Sequence, residues 1–203
     1  MFRVSRLALI ACMTSALLFP IPALADQSAA SVTLNPPPPS FESCKTVGQQ
    51  TICRGTREFV ETPVDTGIVC GTGAAAFDIY DQGVVHQTAT RYYDAEGNLT
   101  RRVIHEIWTS SFWSNPLTGD TVPYTQNNIV TDILTIPGDL GSVTTTAVGS
   151  SMYTDPVTHQ KVLRSAGRVV TATDGSVEFS AGPQAFLSSD PTTFDAVCAA
   201  LAR

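Results

Sequence analysis

Residues 162–182 read VLRSAGRVVTATDGSVEFSAG. Two runs of alternating side chains meet at Asp174-Gly175, a dipeptide that favours the tight reversal of a β-hairpin. A period of two carried by β-branched residues fits a pleated, half-buried surface and does not fit a helix. A two-residue turn there pairs Thr173 with Ser176, Val170 with Phe179 and Arg168 with Ala181. Arg168 then shares a face with Ala166, Val170 and Ala172, which reads as the core side. A buried guanidinium needs a carboxylate or an anionic ligand. Asp132, alternating with Val130 and Leu134, is the candidate partner. Three readings stay open: an internal Arg168–Asp132 ion pair, a pocket where Arg168 meets a ligand's acid group, and an Arg168 that reaches out at the rim.

The same pattern fills the chain from Cys44 to Gly182. Strands are expected near 59–69, 75–80, 84–93, 99–112, 121–126, 129–136, 143–153, 162–173 and 176–181, punctuated by Gly, Pro, Asp and Asn. The fold class is therefore all-β, an antiparallel up-and-down meander. A meander this long loses its exposed edges by closing, so a barrel-like form is expected. Residues 190–203 change character. Asp190 can cap, Pro191 suits a first turn, and Phe194, Val197, Cys198 and Leu201 recur at helical spacing. One weak repeat stands out: Trp113-Ser-Asn-Pro-Leu-Thr-Gly and Tyr153-Thr-Asp-Pro-Val-Thr-His each start a turn with Asx-Pro. His159 takes the place of Gly119 in that repeat, which argues for a turn role rather than chemistry.

Residues 1–25 read as an export leader. Arg3 and Arg6 precede a short apolar run, and Ala23-Leu24-Ala25 is a small-residue cleavage site. Leu9-Ile10-Ala11-Cys12 offers a rival lipoprotein reading. Residues 26–43, with Pro36 to Pro39, read as a Pro-rich flexible tail, and 44–203 as a single domain. Four cysteines follow the leader, an even number that suits disulfides in an exported protein. Val47-Gly48-Gln49-Gln50 reads as a two-residue hairpin loop with Gly first, which puts Cys44 opposite Cys53. Cys70–Cys198 follows by elimination. The full sequence carries 12 basic and 18 acidic residues, a net charge of −6, more negative once Arg3 and Arg6 leave. That balance argues against nucleic acid and anionic membranes as partners. No segment is long and apolar enough to span a membrane as a helix, and the oligomeric state is not legible.

Asp94-Ala95-Glu96-Gly97-Asn98 reads as a loop with Gly97 in the left-handed position, pairing Asp94 with Asn98. Counted from it without interruption, His86 faces Glu106. A carboxylate beside an imidazole can serve acid–base work, and an ordinary cross-strand ion pair explains the same pair more simply. His105 falls on the opposite face, as an interior histidine or a ligand contact. No phosphate-cradling loop, nucleophile elbow, metal spacing or calcium loop is present, so no cofactor or metal is expected.

The Gly167-Arg168-Val169-Val170 hairpin, its Gly182-Pro183 exit, the Tyr92-Tyr93-Asp94 and Asn115-Pro116 turns, and the closing Phe194…Cys198-Ala199-Ala200-Leu201 carry a likeness. Over residues 70–201 the chain resembles uncharacterised secreted β-rich proteins of actinobacterial type. No activity is assigned to that group, so the resemblance implies compartment and architecture only. The expected function is a secreted, non-catalytic binding or interaction module for a small apolar or anionic ligand. The alternatives are a β-barrel enzyme (cyclase, isomerase or hydrolase) using His86 and Glu106 or Arg168 and Asp132, and a cell-wall-associated structural protein.

Overall fold

A computed structural model describes residues 32–203. The expected leader with Cys12, and residues 26–31 of the expected tail, lie outside the described residues. Eight antiparallel strands form one sheet in chain order. They are β1 (Ser43–Val47), β2 (Gln50–Cys70), β3 (Phe77–Tyr93), β4 (Leu99–Ser114), β5 (Thr121–Leu134), β6 (Val143–Thr154), β7 (Lys161–Thr171) and β8 (Val177–Ala181). One α-helix, α1 (Asp195–Leu201), follows. Two expected breaks vanish. Asp81-Gln82-Gly83 lies inside β3, and Asn127-Asn128 lies inside β5. These polar interruptions look like turns in sequence, yet the ladder runs through them.

The meander and the C-terminal helix agree with the sequence; closure does not. β1 and β8 are the two edges of an open sheet and do not pair with each other. Each has only five residues, all exposed, and very short edges are one way that sheets avoid edge-to-edge association. Terminal segments cover the inner face instead. At one end, Phe77, Ile79, Trp113, Val122, Tyr124 and Tyr153 pack with Val197, Ala200 and Leu201 of α1. At the other, Cys53, Tyr93, Leu99 and Leu134 pack with Leu34. The expected flexible tail is thus corrected from Val32 onward, where the chain lies across the sheet. Asn35 N–H donates to Gly97 O and Leu99 N–H to Asn35 O, both at 2.8 Å. Glu42 pairs with Arg91 at 3.0 Å with its own side chain fully buried.

Both expected disulfides form: Cys44–Cys53, which the hairpin turn predicts, and Cys70–Cys198, which follows by elimination. Gly48 has φ +63, and Val47 pairs with Gln50. The repeated turns are equivalent, with Gly119 at φ +82 and His159 at φ +58. They also share a task. Asn115 Nδ2 donates to Leu201 O at 2.9 Å, and the Arg203 guanidinium forks onto Asp155. The two Asx side chains therefore hold the end of α1 against the sheet. Arg203 keeps the Asp155 carboxyl well below the usual carboxylate range. The helix itself is shorter than expected. Asp190 Oδ1 accepts Thr192 N–H at 2.9 Å and caps a separate turn ahead of it.

Two registers differ from expectation. The Asp94–Asn98 loop forms with Gly97 at φ +86. Thr100 then bulges, because Tyr93 pairs with Leu99 and Tyr92 with Arg101. Each later pair slips by one, so His86 faces Ile107 and Glu106 faces Gln87. In the β7–β8 hairpin the loop has three residues, since Ala172 N–H donates to Ser176 O at 2.8 Å. A compensating irregularity restores the expected Val170–Phe179 and Arg168–Ala181 pairs.

Candidate functional site

The inner face owes its chemistry to a second bulge in β4. Trp108 and Trp113 are five residues apart, an odd separation that in a regular strand sends them to opposite faces. The register jumps between Trp108 and Ser111, with Ser110 at φ +51. The extra residue turns both indoles to the same side. Gly83 makes room for it: a Cβ there meets Ser111 Oγ at 2.0 Å.

Those indoles line a cleft of about 490 Å3 between β2–β6 and the segment that leads into α1. Trp108, Trp113, Tyr153, Phe186 and Phe194 form its aromatic wall. Trp113 lies 4.4 Å from Tyr153 centroid to centroid, and Tyr153 stacks on Tyr124 at 4.8 Å. Phe186 meets Trp113 edge-on at 5.9 Å. Glu61, Asp65 and Asp81 bring three carboxyl groups. Among the described residues, the lining includes no Lys, Arg or His.

Asp81 is the polar centre. Its Oδ1 accepts the Tyr124 hydroxyl at 2.9 Å. Burial raises its pKa, the Tyr124 and Trp113 donors counter part of that rise, and the Glu61 carboxylate adds to it. Burial also raises the Tyr124 and Tyr153 phenols, helped by the Asp81 charge, so both stay protonated. The Trp113 indole N–H influences Asp81 without reaching an acceptor at hydrogen-bond distance, and the buried Trp108 N–H likewise has no partner among the described residues. Unpaired buried donors are uncommon in folded proteins.

Next to the cleft runs a ladder of side chains across β2–β5. Arg57 Nε donates to Gln87 Oε1 at 2.7 Å, and Gln87 Nε2 donates to Glu106 Oε1 at 2.8 Å. Asn128 Nδ2 reaches Glu106 Oε2 at 3.4 Å, and Gln126 Nε2 reaches Asn128 Oδ1 at 3.3 Å. Gln126 joins this ladder to the cleft and to a smaller hollow of about 200 Å3 floored by Gly149, Ser151, Ser165 and Gly167.

Comparison with protein families, with curated proteins and with solved structures finds no match. The site therefore stands on its own geometry.

Of the residues read in sequence as catalytic or ligand-binding, none lines the cleft. His86 lies on the outer face, with Nδ1 2.9 Å from Glu58 Oε2 and Nε2 3.1 Å from Thr109 Oγ1. Glu106 belongs to the inner ladder, so the two are not brought together. His105 is on the outer face against Asn127 Oδ1 at 2.8 Å. Arg168 is exposed there too, 5.6 Å above the Phe179 ring. The apolar residues of β7 divide almost evenly between its faces, so Leu163 and Ser165, not Ala166 and Val170, mark the inner one. Asp132 is buried as expected but pairs with Arg102, whose Nε donates to Oδ2 at 2.7 Å, while Thr145 donates to Oδ1 at 2.7 Å. Asp81 and Gln126 of the cleft sit in or beside polar stretches that read as turns in sequence, which hid them. Among the described residues, no group of three His, Cys, Asp or Glu is placed to hold a metal ion.

Proposed function

We propose that this chain is an exported, non-catalytic binding module whose ligand is a small organic molecule held in the Trp108–Trp113 cleft. One observation carries the reading: an aromatic-walled hollow of ligand size has a half-buried carboxyl group in its wall and a buried indole donor, that of Trp108, with no partner among the described residues. Ligand sites are concave, mostly apolar and fitted with a few polar groups. A purely structural sheet gains nothing from such groups, because an unpaired buried donor costs about 1–3 kcal/mol. Export rests on the leader pattern and on two disulfides, which fit an oxidising compartment. The anionic ligand first expected from Arg168 gives way to a neutral or cationic one, since Arg168 faces outward and the cleft is lined by acids. The catalytic reading loses its dyad with the separation of His86 from Glu106.

The test is an NMR screen of small organic molecules that follows the indole N–H signals of Trp108 and Trp113. Binding molecules are expected to shift those signals first. Val64→Trp, a bulky ring at the exposed rim, is expected to abolish the shifts while the fold persists. Shifts scattered over the surface, or unchanged in Val64→Trp, refute the reading.

A further inference from the structure

We infer that the cleft selects an organic cation, an alkylated ammonium group seated between the Asp81 and Glu61 carboxylates and the faces of the aromatic wall. The inference rests on the cleft being a ligand site and adds the charge class.

The charge is one-sided. Three carboxyl groups and no basic side chain line the cleft among the described residues. An anionic ligand meets repulsion from every ionised group there. A neutral ligand leaves the half-buried Asp81 and Glu61 carboxyl groups as neighbours in the cleft wall with no counter-charge, and Glu61 already works against ionisation of Asp81. A cation between them relieves both the repulsion and the lost hydration.

The wall suits the same guest. Aromatic faces attract cations through their quadrupole, tryptophan most strongly, and the attraction grows where water is excluded. Trp113 and Tyr153, each 2% exposed, back the wall, while the half-buried Trp108 and Phe194 and the exposed Phe186 present the ring surface that a guest can reach. A strongly hydrated metal ion gains little from such a wall, and a weakly hydrated alkylammonium gains most. Asp65, exposed at the mouth with its Oδ1 committed to Gly67 N–H at 2.8 Å, adds negative potential on the way in. Tyr124 donates to Asp81 Oδ1 and holds the carboxyl group in the cleft wall.

The experiment compares three probes on the mature protein by the shift of the Trp108 and Trp113 indole signals: benzyltrimethylammonium, its uncharged carbon isostere neopentylbenzene below its solubility limit, and phenylacetate. The cation is expected to bind at least about tenfold more tightly than the isostere, the gain of a dehydrated cation–π and carboxylate contact, with phenylacetate weakest. Asp81→Asn is expected to remove that preference while leaving isostere binding in place, and Glu58→Gln on the outer face is expected to leave all three affinities unchanged. Equal affinity for cation and isostere overturns the cation assignment and leaves the cleft as a neutral-ligand site. Tighter binding of phenylacetate overturns it as well. Binding of none of the three at millimolar concentration overturns both the cation assignment and, with the failed screen, the ligand reading beneath it.

Discussion

Asp81, in the wall of the proposed site, is a carboxyl group held against its own preference for water. Its pKa is raised from the ordinary 3.8, first by burial and then by Glu61, and the Tyr124 hydroxyl offsets only part of the rise. The sign follows from linkage: a carboxyl group whose folded pKa lies above its unfolded one favours the fold when protonated. That contribution is fully present below the unfolded pKa and is lost as pH rises through the folded one. Asp81→Asn removes the charge and keeps an acceptor for Tyr124. The variant is therefore expected to melt higher than the parent near pH 7 and to match it near pH 3. Each kcal/mol of relief corresponds to roughly 2–4 °C in a chain of this size. Melting curves across that pH range check it, and a variant that melts lower at pH 7 contradicts the assignment. Stability gained where binding is lost is the usual trade at a functional position. None of this is legible in sequence, because Asp81-Gln82-Gly83 has the composition of a turn, and its burial depends on side chains from β2, β4 and β5. Asp132 was legible as a buried acid through its apolar neighbours. Its partner Arg102 was not, since the choice between arginines depends on register.

At the level of elements, bulges decide which side chains meet. The Thr100 bulge separates His86 from Glu106, and the Ser110 bulge unites Trp108 with Trp113. Turn chemistry was legible at Gly48, Gly97 and the two Asx-Pro turns, because each rests on local backbone preference. A bulge in a long strand leaves no such local mark. Its cause lies on the neighbouring strand, here in the missing side chain of Gly83. A Cβ at that position falls 2.0 Å from Ser111 Oγ and 2.6 Å from Ser111 Cβ. Gly83→Val is expected to flatten or displace the bulge and to lose about 1–3 kcal/mol, as overpacked sites do. The signature is specific: the near-ultraviolet circular dichroism of the indoles changes and cleft binding weakens together. Gly119→Ala, in a turn where a Cβ meets nothing within 4 Å, is strained by its φ of +82 and is expected to lose stability with the indole signal intact. Identical spectra for Gly83→Val and the parent sink the account.

For the whole molecule, an open sheet needs something other than closure to protect its inner face, and the two chain ends provide it. The C-terminal side covers the proposed site. Phe186 and Phe194 roof the cleft, and Cys198, one turn further, ties α1 to Cys70 at the end of β2 across a sequence separation of 128. The Cys44–Cys53 bridge spans a separation of 9 inside one hairpin, far from the cleft. In the chain-entropy model the long loop contributes about 5 kcal/mol and the short one about 3 kcal/mol. The two bridges therefore separate stability from function. The double variant Cys70→Ala/Cys198→Ala is expected to unfold at much lower denaturant and to lose ligand-induced shifts at Trp108 and Trp113 before global unfolding, because the roof is then held by Asn115, Asp155, the hydrogen bonds of residues 183–185 to β7 and apolar contacts, with no covalent tie. The double variant Cys44→Ala/Cys53→Ala is expected to lose less stability and to keep the shifts. Denaturant titrations followed by indole NMR read both effects in one series. If the two variants lose binding alike, the roof does not build the site. If removal of the short bridge is the more damaging, then the covering of the inner face by the N-terminal segment, not by α1, holds the sheet in its shape.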